Sequence, residues 1–574
     1  MPTAPAPEAE TPYGRVRGDR DDAIAVFRAI PHTATPRGAA RFAAPVPPAP
    51  WRQVRDPVIL PAKAPAPPRD RIGPLDMTAF SGAPWRPADT GDHLTATVWT
   101  PAADSRSRLP VLVFVHGGGF LAGTGDAAAY DGAALARRGI VVVTLNYRLG
   151  APGWLHLDDA PDNRGLLDVI AALRWVRSAI GAFGGDPGRV TLMGQSAGAT
   201  VVGALLATPA AAGLFRRAIV QSGNGLGALT PGQARRVTAA LADAAAVPPT
   251  VAGLAAVSDA DLVTYTAALA GLDLDVDGAR DPLLGLGPYG VVSAVQPAAA
   301  VAAGHGRDVD LLLGINADEA NLYLVPTARH DRDARQMSQD LFGRGTEALA
   351  VAHAGAGGRT FRYRFDWRSD AFDGALGAAH CMELPFVFGT TGIPSLRGPQ
   401  ALLGTAPVAR ELTDAIQAAW VRFVTSGDPG WPRFTADDPH IEKLGTARAA
   451  TTPAGWTDHG FPLSAAVRTG NLVHVSGQIA VDPVTFTPVG RTVTEQVEQV
   501  FRNIAAALDA AGATLDDIVS TRVYLRDPAA FAEMNAAYAR LAPRPYPART
   551  TVYMQLPDDY QVEIEAIAVR TGQP

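Results

Sequence analysis

Apolar positions along the chain change their period at intervals, and the changes mark out elements. "LPVLVFV" (109–115) and "IVVVTLNY" (140–147) are unbroken runs rich in β-branched residues. Such runs predict strands buried on both faces, as in a parallel sheet covered by helices. Leu166, Val169, Ile170, Leu173, Val176 and Ile180 then recur at helical spacing. "VTLM" (190–193) predicts a strand and "ATVVGALLA" (199–207) a helix. Further strands are expected at 217–223, 311–315 and 361–367, and a helix at 411–424. Ahead of this region, "AVFRAIPH", "RFAAPVPPAPW" and "LPAKAPAPPRD" are short apolar pieces broken by proline, suited to short strands and surface loops. Strands alternating with helices predict an α/β fold.

A different texture begins near residue 440, behind the turn-rich "SGDPGWPRFTADDP" (426–439), which reads as a linker. Strands are expected at 472–481, 518–526, 549–556 and 561–569, with helices at 493–511 and 529–541. The first of these helices opens with Thr492-x-x-Glu495, a capping-box pattern. Its Val497, Val500, Phe501, Ile504 and Leu508 fall on one face. The expectation is two domains, an α/β unit over 1–439 and a smaller α+β unit over 440–574.

Composition narrows the function classes. Apolar residues make up 47% and charged residues 18% of the 574, as in chains that bury a core. A net charge of −6 offers no basic surface for nucleic acid. Cys381 is the one cysteine, so no intrachain disulfide is possible and nothing points to an oxidising compartment. "MPTAPAPEAETPYG" does not read as a signal peptide and no long apolar run suggests a membrane span, so a cytoplasmic location is expected.

The chemistry gathers around "GQSAGA" (194–199), between the expected strand and helix. A sharp strand-to-helix turn presses backbones together, admits only small flanking residues and lifts the serine out of the sheet. A serine hydroxyl is too weakly acidic to attack unaided and needs a base oriented by an acid. "HGGGF" (116–120) ends the strand at 109–115, and its glycines allow backbone N–H groups to face a ligand. With the N–H of Ala197 they form a candidate oxyanion hole.

These motifs, with "TPYGRVRG", "AVFRAIP", "RFAAPVPPAPW", "LTATVWTP", "VVVTLNYRLGAPGWL", "NRGLLDVIAALRWV" and "GAAHCMELPFVFG", resemble the type-B carboxylesterase family from about Pro12 to Pro432. The resemblance implies an α/β-hydrolase fold, hydrolysis of small-molecule carboxylic esters through an acyl-enzyme, and no cofactor or metal. Ser196 matches the family's nucleophile and His380, in "GAAHCMELPFVFG", its base. The family's acid falls in a segment like "GINADEANLY", which matches Glu319, with Asp318 as the alternative. Gly118, Gly119 and Ala197 match the oxyanion hole. Ser222, in "QSG", reads as support for the acid or as packing, His116 as a structural hydrogen-bonder and Cys381 as an inert filler. Phe120, Leu121 and Trp154 are expected to line or abut the substrate gorge. The chain departs from the family at two places. A cysteine usual ahead of "LTATVWTP" is absent, with His93 near its place, and the last strand and helix after "WPRF" are missing, which would leave a sheet edge uncovered unless the next domain covers it.

"GNLVHVSGQIAVDP", "PARTTVYMQL" and "VEIEAIAV" resemble the RidA family over about 456–570. That resemblance implies a chorismate-mutase-like α+β fold, trimers with ligand clefts between subunits, and for some members imine deamination. Arg549 matches the arginine that holds a substrate carboxylate and Glu563 the cleft glutamate, while Leu463 stands where the family has tyrosine. Arg549 also reads as a structural ion-pair residue. The domain then deaminates 2-imino acids, binds small carboxylates or only oligomerises the chain. A contrary reading makes it the working enzyme and the esterase half inactive.

Overall fold

The computed structural model describes residues 6–56, 61–88, 91–329, 331–445, 449–457, 460–469, 472–557 and 559–569. Contacts divide the chain into two compact units, Met1–Gly445 and Thr446–Pro574.

Among the described residues, ten strands form one mixed sheet in the first unit. In chain order they are β1 (Asp19–Asp21), β2 (Ile24–Pro31), β3 (Thr95–Thr100), β4 (Leu109–Val115), β5 (Val141–Leu145), β6 (Gly185–Gln195), β7 (Arg217–Gln221), β8 (Asp310–Asn316), β9 (Thr360–Phe365) and β10 (Glu442–Leu444). Their spatial order is β10-β9-β8-β7-β6-β4-β5-β3-β2-β1. From β5 to β10 every pairing is parallel, whereas β3, β2 and β1 pair antiparallel. The β-branched runs account for the central strands: β5 is buried throughout, and β4 from its second residue on. Helices α1 (Arg164–Ala179) and α2 (Ala197–Leu206) follow β5 and β6 in the chain, and α3 (Arg410–Ser426) follows β9. On α1, the predicted Leu166, Val169, Ile170, Leu173 and Val176 are all buried.

One ion pair lies deep in this unit. Arg148, just past β5, meets Asp168 of α1 through Nε to Oδ2 at 2.8 Å and Nη2 to Oδ1 at 2.7 Å, both residues being buried. The remaining Arg148 donors reach the carbonyls of Arg41 and Ala43, so no charged hydrogen-bonding capacity is stranded.

The stretch read as a linker and the missing last strand are both corrected. Phe434 is buried, its N–H donates to the Thr360 carbonyl at 2.8 Å, and the Arg362 guanidinium lies over its ring. β10 then pairs with β9 through Tyr363↔Glu442, Arg364↔Lys443 and Phe365↔Leu444. The exposed edge expected at β9 is therefore occupied, and the first unit runs past 439 to Gly445. Three residues without strong β-branched character gave no periodic signal; the unpaired edge supplies the reason for the strand.

The second unit is a six-stranded sheet with two helices. Its strands are β11 (Ala449–Thr451), β12 (Ala466–Thr469), β13 (Leu472–Ile479), β14 (Ile518–Leu525), β15 (Ala548–Tyr553) and β16 (Val562–Val569), in the order β11-β12-β13-β16-β14-β15. Helices α4 (Val493–Ala510) and α5 (Phe531–Leu541) pack on it. The Thr492 hydroxyl accepts from the Glu495 N–H at 3.2 Å and the Glu495 carboxylate accepts from the Thr492 N–H at 3.0 Å, the expected capping box. Val497, Val500, Phe501, Ile504 and Leu508 are buried, each contributing about 1.5–3 kcal/mol by its removal from water.

Candidate active site

β6 ends at Gln195, α2 begins at Ala197, and Ser196 between them adopts φ 57°, ψ −124°. A non-glycine residue in that region is strained, and the surroundings hold it there. The Ser196 N–H donates to the Gln221 carbonyl at 2.9 Å and its own carbonyl accepts from Thr200 N–H at 2.9 Å. The flanking glycines are required by contact: a Cβ at Gly194 would sit 2.4 Å from the Gly198 carbonyl oxygen, and one at Gly198 2.1 Å from that of Val115. The turn is the strand–serine–helix elbow that the sequence predicts.

"HGGGF" follows β4, beside β6 in the sheet. Gly118 has φ 116°, and a Cβ there would lie 2.1 Å from the Ala122 carbonyl oxygen. Among the described residues the N–H groups of Gly118, Gly119 and Ala197 have no protein acceptor, and all three residues line the cavity that Ser196 faces. His116 is fully buried, its Nδ1 is 2.7 Å from the Gly117 carbonyl, and its ring stacks on Tyr147. Burial lowers its pKa to about 4, which suits a structural role.

Glu319 and His380 meet at 2.5 Å, Oε2 to Nδ1, both buried. Oε1 of Glu319 accepts from the Ser222 hydroxyl at 2.5 Å and from the Asn316 N–H at 2.7 Å. Asp318, the alternative acid, is instead held by Arg368 at 2.6 Å and the Ala378 N–H at 2.9 Å, away from the imidazole. Ser222 thus hydrogen-bonds Glu319 rather than serving as packing. The His380 ring stacks on Phe342 with centroids 4.5 Å apart, and its Nε2 lies 3.2 Å from the side-chain amide of Gln195, the neighbour of Ser196. Burial opposes a charged His380, but its acidic neighbours Tyr323, Cys381 and Glu319 push the other way, and the group is held above its ordinary value.

Ser196, His380 and the three N–H donors share a cavity of about 460 Å³. Phe120 lines it; Trp154 stands behind Phe120, edge-on at 4.7 Å, and Leu121 is in the core. The sequence reading passed over Glu383, three residues past the histidine. This carboxyl is buried beside Glu319, and accepts from Gln221 at 3.1 Å and Asn316 at 2.7 Å. Burial, with the charge of Glu319, pushes its pKa up to about 7. Its spacing from His380 was visible in the sequence; its burial was not. Among the described residues no group of three or more His, Cys, Asp and Glu is placed to hold a metal ion.

The second unit separates its two candidates. Arg549 on β15 is opposite Thr521 of β14, on the helix side, where its Nη2 donates to Asn535 at 2.8 Å and its guanidinium lies 4.6 Å above the Tyr538 ring. Glu563 on β16 is opposite Tyr524 of β14, three residues further along and so on the other face. Within one chain they do not form a common site. Arg549 stacks and hydrogen-bonds rather than pairing with a carboxylate.

A strained serine at a strand–helix elbow, with its partners on loops past the carboxyl ends of parallel strands, defines an α/β hydrolase. Residues 5–341 match the family described as the carboxylesterase family, and residues 459–570 match that described as endoribonuclease L-PSP. The chain belongs to the carboxylesterase family and is a carboxylic ester hydrolase. It is 33% identical to the para-nitrobenzyl esterase of Bacillus subtilis (strain 168), over 74% of this chain and 92% of the relative. Identity to the fumonisin B1 esterase of Sphingopyxis macrogoltabida is 34%, over 74% and 84%. A solved structure of a PNB esterase superposes with a TM-score of 0.66 at 30% identity, covering 77% of this chain and 96% of that one. No helix among the described residues is long and apolar enough to cross a membrane.

Proposed function

We propose that Ser196, His380 and Glu319 cleave small-molecule carboxylic esters through an acyl-enzyme. The observation that carries this reading is the hydrogen-bonded row Ser222–Glu319–His380, ending at the wall of the cavity that Ser196 also lines. His380 Nε2 takes the proton as Ser196 Oγ attacks the ester carbonyl carbon, and the carbonyl oxygen becomes an oxyanion. The N–H groups of Gly118, Gly119 and Ala197 receive that charge, each donor being worth about 3–4 kcal/mol of barrier. Glu319 orients the ring and stabilises the imidazolium. Collapse breaks the C–O bond, and the departing alkoxide takes the proton from His380. Water then attacks the acyl carbon with His380 again as base; the bond from Ser196 Oγ to the acyl carbon breaks, Oγ takes the proton back from His380, and the carboxylic acid leaves. Turnover of p-nitrophenyl butyrate by the full chain, lost in Ser196→Ala, tests the assignment; full turnover by that variant refutes it.

For the second unit the reading is an assembly module, with any site for a small carboxylate or imino acid completed between copies, as in a homotrimer. It is favoured by the separation of Arg549 from Glu563 and by the apolar Val552, Tyr553 and Met554, exposed at the edge strand β15 and just past it. Light scattering on the full chain measures the assembly. Ammonia release from 2-aminoacrylate generated in situ measures deamination.

A further inference from the structure

The ester-cleaving cavity is lined by Arg69, Arg71 and Arg329 and by no aspartate or glutamate. That is unexpected in a chain with 56 acidic and 50 basic residues. Arg329 pairs with Asp331 at 3.3 Å. Arg69 and Arg71 have no carboxylate within ion-pair distance among the described residues. Arg69 donates from Nη2 to the Leu286 carbonyl at 3.2 Å, and Arg71 from Nη2 to the Pro74 carbonyl at 3.1 Å. Each of those bonds uses one of five guanidinium N–H donors. The Asp76 carboxylate, opposite Arg71 in a two-stranded ribbon, partly offsets the charge of Arg71, whereas Arg69 has no such carboxylate neighbour among the described residues.

The position of Arg69 matters more than its presence. Its Nη1 lies 3.8 Å from the point where a Cβ on Gly119 would stand, beside a proposed oxyanion donor. The residue keeps solvent-accessible surface, so a bound molecule can reach it, while the protein packed around it desolvates the guanidinium and lowers its pKa, which makes a counter-ion there more favourable. The Leu286 carbonyl tethers it, which lowers the cost of ordering a long side chain when an anion binds. A guanidinium offers two parallel donors that match the two oxygens of a carboxylate.

From this placement we infer that the preferred substrate is an ester carrying a carboxylate besides the scissile group, with Arg69 as its counter-charge. The inference rests on the proposed serine-ester reading and names the substrate class for that site. The Ser196 chemistry is indifferent to the extra charge; Arg69 acts on binding and orientation.

Two matched pairs of esters test it with the full chain. Monoethyl adipate against diethyl adipate places the carboxylate on the acyl side, and 4-acetoxybenzoate against 4-acetoxybenzamide places it on the alcohol side. The quantity read is the ratio of kcat/KM, anionic over neutral, which cancels any general loss of folded enzyme. The anionic member is favoured in at least one pair, and added salt weakens that preference. Arg69→Gln lowers the ratio about tenfold or more, mainly through KM, and Arg69→Lys restores part of it. A neutral preference in both pairs, or an anionic preference that survives Arg69→Gln, overturns the inference while leaving ester hydrolysis intact. Failure of wild-type protein to turn over any of the four esters and p-nitrophenyl butyrate overturns the underlying reading, and this inference with it.

Discussion

In the first unit, the proposed catalytic groups come from the carboxyl ends of neighbouring strands: Ser196 after β6, Ser222 after β7, Glu319 after β8, and His380 from the loop beyond β9. In the second, Arg549 and Glu563 sit on strands flanking β14 on either side, yet on opposite faces. The contrast comes from sheet geometry. Parallel strands deliver their carboxyl ends to one edge, so residues separated by more than a hundred positions converge whatever their spacing. In strands with one covered face, convergence depends on alternation, and a one-residue offset sends a side chain to the other face. A motif match therefore locates a site more securely on the first architecture than on the second.

The sharpest break of this comparison is Ser196→Ala. It is expected to lower ester turnover by about 10⁴-fold or more while leaving the second unit folded, as read by p-nitrophenyl butyrate kinetics and circular dichroism. Glu319→Gln comes next, at about 10³–10⁴-fold in kcat. Because His380 is held above its ordinary value, wild-type kcat/KM should rise with pH along a limb centred above 6.5, where the base loses its proton. With Glu319 neutral, one of the groups opposing burial is lost and the limb should move to lower pH; a limb that stays in place would separate Glu319 from the base.

Asp168→Ala leaves Arg148 charged and unpaired in the core, and is expected to cost about 3–5 kcal/mol. Urea unfolding should show that loss in the first unit's transition alone, since the second unit has its own core cluster. A smaller effect, about tenfold in kcat/KM, is expected for Ser222→Ala, which removes one of the bonds orienting Glu319. Smallest of all, Arg549→Ala should leave ester kinetics within about twofold, since Arg549 belongs to the second compact unit and none of the residues lining the cavity do. An effect as large as that of Ser222→Ala would tie the second unit to the ester chemistry.

Much of this was legible in the chain itself. Strand β4 begins and ends where the apolar run does, α4 carries the cap announced by Thr492 and Glu495, and Ser196 stands at the elbow expected of it. These features depend on local pattern and on glycines that only a tight turn requires. The choice of Glu319 over Asp318 depended on what lay across from each: His380 and Ser222 for one, Arg368 for the other. β10 was invisible because its stability comes from the open edge of β9 and not from its own three residues.

Periodicity and motif by themselves determined the α/β class, the smaller α+β unit and the serine at a strand–helix elbow. Short-range sterics dictate strands, helices and tight turns, and a chain records them residue by residue. Only the tertiary structure decided which carboxylate meets the imidazole, that Glu383 is a second buried acid, that Arg69 stands beside Gly119, and that Arg549 and Glu563 face apart. Those outcomes depend on burial and on distances between segments far apart in the chain, where no local pattern carries the information.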